Sequence, residues 1–415
     1  MKKVHFLVLI LMVLLIAVSC GKKEENSKGE STVKEEIKET VLETEKEAVG
    51  LPVDPDDYYK LVAFELPDDF RKAAVEYMRK QSSIEWTPGK TFKTGRQNEN
   101  WGFELTYEAG KVYTGLLYST RKASVDEFQL ALAKNGGKYT SEKYDYSFAL
   151  GVECNTSITH SLQQFTNAVT GKAEILMPSY ADLFGGVIVG EYTVPDGARQ
   201  TAKIISANTP EVMYQAYSEL DVGDIIITKD EDKKLNHLRM IVEKPVIVTT
   251  GAGKINPSRS YVVTIEQTDT FDKTRTDGVN TTWWVDHQYT FSKLLEKNYV
   301  PVSVEAYKTG LGVVPYIGLD TEITAGILEK STLTGTITSN YPIRFIHINL
   351  YKKDGELVSS AVFNGEFDTR KVNLRKYSSE IFTNDVTAGE YTLEVLAGVS
   401  RGYAEMARVS FTYKG

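Results

Sequence analysis

The spacing of apolar residues changes to period two near residue 220 of this chain, and that change limits the folds open to it. Before it, Phe70, Ala73, Ala74, Tyr77 and Met78 in "ELPDDFRKAAVEYMRKQ" recur at helical spacing. Pro67 suits the first helical position there, and Asp68 and Asp69 favour the N-terminal dipole. A second helix is expected near "SVDEFQLALAKNGG", closed by its Asn-Gly-Gly. A third lies in "GVECNTSITHSLQQF", where Ile158, Leu162 and Phe165 form one stripe with polar residues elsewhere. After residue 220, "DVGDIIITKD", "NHLRMIVEKPVIVTT" and "RSYVVTIEQTD" alternate at period two, as sequential strands of one antiparallel sheet do. Helices first and strands second place the chain in the α+β class.

"TFSKLLEKNYVPV" closes that region near residue 307. The remainder, with "TLTGTITSN", "IRFIHINLYKKDGELVSSAVF", "EYTLEVLAG" and "MARVSFTYK", is β-rich, and "KKDGE" makes a good hairpin turn. Strands at this spacing over about ninety residues are those of an immunoglobulin-like β-sandwich.

The N-terminus carries a basic "MKK" and an apolar "VHFLVLILMVLLIAV", the pattern of an export signal. Ala17, Ser19 and Cys20 in "LIAVSCG" resemble a bacterial lipobox, with Ala17 in place of the usual leucine; a plain secretory signal or an uncleaved anchor is the alternative. Gly21 after the cysteine permits outer-membrane sorting in a cell that has an outer membrane. Residues 21 to about 55 are rich in Glu, Lys, Ser and Thr and cannot build a core, so they read as a solvated tether. The expected organisation is therefore 1–20 signal peptide, 21–55 tether, 56–315 α+β domain and 325–415 sandwich. A net charge of −8 argues against a nucleic-acid partner.

The chain has two cysteines. Lipid attachment would consume Cys20, leaving Cys154 without a disulfide partner in an oxidising compartment. Thiol catalysis asks for a nucleophile with a lowered pKa, a base, and a group that orients the base. Cys154 opens a helix whose first amides favour a thiolate, His237 begins an apolar strand, and Glu266 and Gln267 follow on a neighbouring strand. Strand alternation lets only one of the last two face His237; a carboxylate stabilises an imidazolium best, which favours Glu266 over Gln267.

"GVEC" heading a helix, then "LDVGDII" and a histidine at the head of an apolar strand, resembles the NlpC-type papain-like cysteine peptidases over roughly residues 110 to 300. "YTGLLYST" is similar to the stretch that precedes the nucleophile in that family. The resemblance implies a papain-like fold, with a helix-borne cysteine packed on an antiparallel sheet. It makes Cys154 the nucleophile, His237 the general base, and Tyr118 a partner of the Cys154 amide in binding the oxyanion. It also implies peptidoglycan stem peptides, or another peptide, as substrate, for a protein held at the membrane by its N-terminal lipid. Asn155 and Thr156 depart from the serine and small residue usual after the cysteine. The long gap to His237 implies an insertion around "MPSYADLFGGVIVGEYTVPDGA".

Other residues carry plainer readings. His160 falls on another side of the Cys154 helix and reads as a surface or capping residue. His287 and His347 lack metal-ligand spacing, so neither a metal nor a cofactor is expected. Trp101, Trp283 and Trp284 are core residues or cleft residues, and the adjacent pair must face opposite sides of a strand. The rival functions are a non-enzymatic surface lipoprotein that binds peptide or glycan, and an amidohydrolase or acyltransferase acting on a small amide or lipid.

Overall fold

The period-two run forms one six-stranded antiparallel sheet. A computed structural model describes residues 53–98, 101–170, 176–180, 185–230, 232, 235–365 and 368–415. The signal segment, Cys20 and nearly all of the tether lie outside the described residues. The strands are β1 (Gly186–Ile188), β2 (Ile225–Asp230), β3 (Leu235–Val246), β4 (Tyr261–Gln267), β5 (Trp283–Thr290) and β6 (Val300–Val304). Their order across the sheet is β5-β4-β3-β2-β6-β1, antiparallel throughout. Edge strand β1 comes from the "GGVIVG" stretch of the expected insertion, which therefore widens the sheet. Ile225, Ile226, Ile227, Leu238, Met240, Ile265 and Val302 are all fully buried in the core of this part.

Two helices begin where their side-chain caps allow. Helix α1 (Phe70–Ser83) starts after Asp69, whose carboxylate accepts the Lys72 amide at 3.0 Å. Pro67 thus stands ahead of the helix and not in its first turn, because Asp69 takes the capping position. Helix α2 (Val125–Lys134) is capped by Ser124, and Gly136 and Gly137 turn the chain away at φ 61° and 78°.

Helix α3 (Cys154–Leu162) departs from the amphipathic expectation. Every residue in it except Asn155 is buried, polar ones included. It packs on α1, β3 and β4, and Gln164 just beyond it donates to the Ser400 carbonyl of the C-terminal part. His160, read from the sequence as a surface or capping residue, is 0% exposed.

The C-terminal part has two four-stranded sheets around a second apolar core. One runs Leu357–Asn364, Phe345–Lys352, Gly389–Val399, Gly402–Tyr413; the other runs Lys60–Ala63, Tyr316–Leu319, Thr336–Ser339, Lys371–Asn373. Strand Lys60–Ala63 pairs with the sandwich, Lys60 opposite Leu319 and Ala63 opposite Tyr316. The second apolar core thus draws on a strand from within the span expected for the first domain, with Val62 packed against it and Lys60–Ala63 as the outer strand of its sheet.

The two cores meet along a polar seam. Arg344, fully buried, donates to Gln163 at 2.7 Å and to Ser400 at 3.1 Å. Gln164 donates to the Ser400 carbonyl at 3.0 Å, and Asn167 to that of Asn340 at 3.0 Å. The residues that follow α3 are thus fixed by the C-terminal part.

Candidate active site

Two short strands place the cysteine. Leu117–Tyr118 runs parallel to Gly151–Val152, with Tyr118 opposite Val152. Only glycine fits at 151, since a Cβ there would lie 2.0 Å from the Leu117 carbonyl oxygen. This close approach brings Tyr118 to the start of α3. Tyr118 stacks on Tyr146 at 6.1 Å, and Phe103 and Trp101 meet it edge-on. The Trp101 indole is fixed by Asp269 at 2.8 Å.

Cys154 is the first residue of α3, and its side chain lies against the backbone on either side of His237. Sγ is 3.7 Å from the Asn236 carbonyl oxygen, and the Leu238 amide also reaches it. Pairing between β3 and β4 begins at Met240 opposite Ile265, so the first part of β3 is open toward the helix tip. Cys154 is buried, 4% exposed as a residue. Burial, and after it the adjacent Glu153 carboxylate, push the thiol well above its ordinary range; the Leu238 and Asn155 amides pull the other way and do not prevail. The expectation of a thiolate at rest is corrected. Helix N-terminal amides are outweighed here by desolvation and a neighbouring anion, so the resting form is the neutral thiol.

His237 and Arg239 are two apart on β3 and share a face, while Leu238 and Met240 point into the core. Glu266 on β4 serves both. Its Oε2 pairs with His237 Nε2, and its Oε1 lies 2.8 Å from Arg239 Nε and accepts the Tyr289 hydroxyl. Burial would raise the Glu266 carboxyl, but the Arg239 guanidinium and then His237 hold it down at about 2. An ionised carboxylate only accepts, so Nε2 of His237 carries the proton. The neutral ring then has its lone pair at Nδ1, the arrangement a general base needs.

Gln267 does not join this group. Its amide donates to the Leu116 carbonyl at 2.9 Å and its oxygen accepts the Thr268 amide, because alternation turns it to the other face of β4. Its expected catalytic place, as the alternative to Glu266, is withdrawn. Trp283 is likewise fully buried, donating to the same Leu116 carbonyl, while Trp284 packs on His287 at 4.8 Å. His287 bonds Asp272 at 3.0 Å.

Four residues that sequence reasoning passed over stand at the site: Asn236, Arg239, Tyr289 and Tyr299. Arg239 lies between the rings of Tyr289 and Tyr299, 4.0 and 4.5 Å from their centres. Period-two spacing from His237 would have found it. The buried side-chain oxygens of Asn155 and Asn236 have no hydrogen-bond partner, and both residues adjoin the thiol. A buried amide oxygen in that state asks for a donor.

No protein-family model matches the chain, and no curated protein matches it.

Proposed function

We propose that this chain is a papain-like cysteine hydrolase that cleaves amide bonds outside the cytoplasm, with peptidoglycan stem peptides as its substrate class. The observation that supports this best is the Glu266 carboxylate on His237 Nε2, which fixes the tautomer that leaves Nδ1 as a base. In the reaction, His237 takes the Cys154 proton as sulfur attacks the scissile carbonyl. Glu266 stabilises the imidazolium that results. The backbone amide of Cys154 and the Tyr118 hydroxyl are the donors for the oxyanion. Collapse of the tetrahedral intermediate passes the proton from His237 to the leaving amine. Water, deprotonated by the same ring, then releases the acyl group from sulfur.

The substrate class follows from the export signal read in the sequence and from the resemblance to NlpC-type enzymes, many of which act on cell walls. Lipidation at Cys20 would hold the enzyme at the membrane, on the outer membrane of a diderm cell, facing that polymer. The immunoglobulin-like reading of the C-terminal sandwich belongs to the same proposal. Digesting purified muropeptides with wild type and Cys154→Ala, and identifying products by mass, tests the reading. New amino termini that appear only with wild type support it; identical digests overturn it.

One observation favours a second reading, a non-enzymatic peptide- or glycan-binding lipoprotein: the sulfur is nearly enclosed, and its burial raises the thiol pKa. A thiol that resists alkylation in the folded protein at every pH up to 9 supports the binder.

A further inference from the structure

Arg239 faces two ways. One side of its guanidinium pairs with Glu266, Nε lying 2.8 Å from Oε1, and the guanidinium also reaches the Tyr299 hydroxyl. Beyond the guanidinium, Tyr289, Tyr299, Leu294 and Thr228 wall a cavity of about 210 Å³. Lys293 and Lys297 stand at its rim, half exposed and sharing one carboxylate, Glu296, at 3.1 and 3.3 Å. The cavity therefore combines aromatic walls, a guanidinium fork held rigid between two rings, and a surplus of positive charge. That combination matches a small apolar group ending in a carboxylate, which a fork of N–H donors meets with two parallel bonds. The volume suits one ring or a short aliphatic chain. Arg239 joins the cavity to the Glu266–His237 pair, its Nε lying 2.8 Å from the carboxylate that bonds the ring.

We propose that this cavity is a subsite for a carboxylate-bearing part of the substrate, with its apolar portion between Tyr289 and Tyr299 and its carboxylate on the Nη edge of Arg239. The word substrate rests on the hydrolase reading above; the binding of a carboxylate does not. The site would select a free carboxylate over its amide on one side of the scissile bond.

Benzoate and its neutral isostere benzamide are the probes, titrated by ligand-observed NMR into the full chain carrying Cys154→Ala, so that no turnover is needed. Benzoate is expected to saturate and to bind at least tenfold tighter than benzamide. Charge reversal of the two exposed rim residues, Lys293→Glu with Lys297→Glu, should weaken benzoate at least threefold and leave benzamide unchanged. Equal binding of the two probes, or benzoate binding indifferent to the lysine changes, overturns the site. In wild type, saturating benzoate should slow alkylation of Cys154 by iodoacetamide at least threefold; an unchanged rate overturns its placement next to the thiol. A Cys154 that never alkylates, beside selective benzoate binding, leaves the carboxylate site standing and removes the hydrolase reading instead.

Discussion

Glu266 accepts the Nε2 proton of His237, and this one bond leaves Nδ1 as the ring nitrogen that can accept a proton. The same carboxylate is tied to Arg239 and Tyr289, so its orientation is set from three sides.

Glu266→Gln should therefore lower kcat/KM by about 10²- to 10⁴-fold, comparable to His237→Ala, because a neutral amide neither fixes the tautomer nor stabilises the imidazolium. The double variant should lose little more than the worse single one, since the two residues act as a unit. Rates on muropeptides measure this; additive losses would separate the two residues.

Cys154 should alkylate slowly at neutral pH. Burial and Glu153 keep it a neutral thiol, so the iodoacetamide rate of the folded protein should fall below that of free cysteine at pH 7 and keep rising with pH beyond 9. A rate that levels off below pH 6 would indicate a thiolate–imidazolium pair at rest and contradict the geometry. Glu153→Gln should raise the rate at any given pH.

His160 predicts an acid limb in stability. Both its nitrogens are buried without a partner, and burial, then Arg344 and Lys122, hold its pKa well below 6.5. The unfolded chain thus binds a proton that the folded one refuses. Stability from this group is complete above pH 6.5 and falls on acidification by about 1.4 kcal/mol per unit once well below it. His160→Leu should flatten that limb in denaturant titrations. Glu266 adds a separate loss between its ordinary value of 4.5 and about 2, present in both proteins.

Removing residues after about 325 should abolish activity on soluble fragments and on intact sacculi alike. The Cys154 helix leads into residues held by Arg344 and Ser400, and the sheet that includes Lys60–Ala63 would lose its strands Thr336–Ser339 and Lys371–Asn373. Arg344→Met, a milder change, should cost about 2–4 kcal/mol in chemical denaturation, leaving the polar groups of the seam with fewer partners. Activity on fragments that survives truncation would make the sandwich a separate accessory.

Gly151→Ala should destabilise the fold by about 1–3 kcal/mol and depress activity further than stability alone explains. The added carbon would press on the Leu117 carbonyl and shift Tyr118 relative to Cys154. Tyr118→Phe, which keeps the packing, should affect turnover and leave the melting temperature nearly unchanged.

The elements near residues 70, 125 and 225 were legible because each depends on local chemistry: an Asp or Ser cap, an Asn-Gly-Gly stop, an alternating apolar run. The grouping of His237 with Glu266 was legible as a pair of alternatives, and alternation separated Glu266 from Gln267 only once the register of β4 was known. The state of the Cys154 thiol was not legible, since it depends on how deeply the helix tip is enclosed, a property of the assembled chain. His160 was misjudged for the same reason: a polar residue on a helix reads as exposed until a second body covers it. Strand Lys60–Ala63 was missed because four residues with a partner more than 250 positions away leave no local pattern.

That short strand also decides how the molecule meets force. A pull on the chain ahead of Lys60 would load the four ladder pairs at Tyr316–Leu319 together with the contacts of Tyr58 and Tyr59 to Thr338 and Glu322.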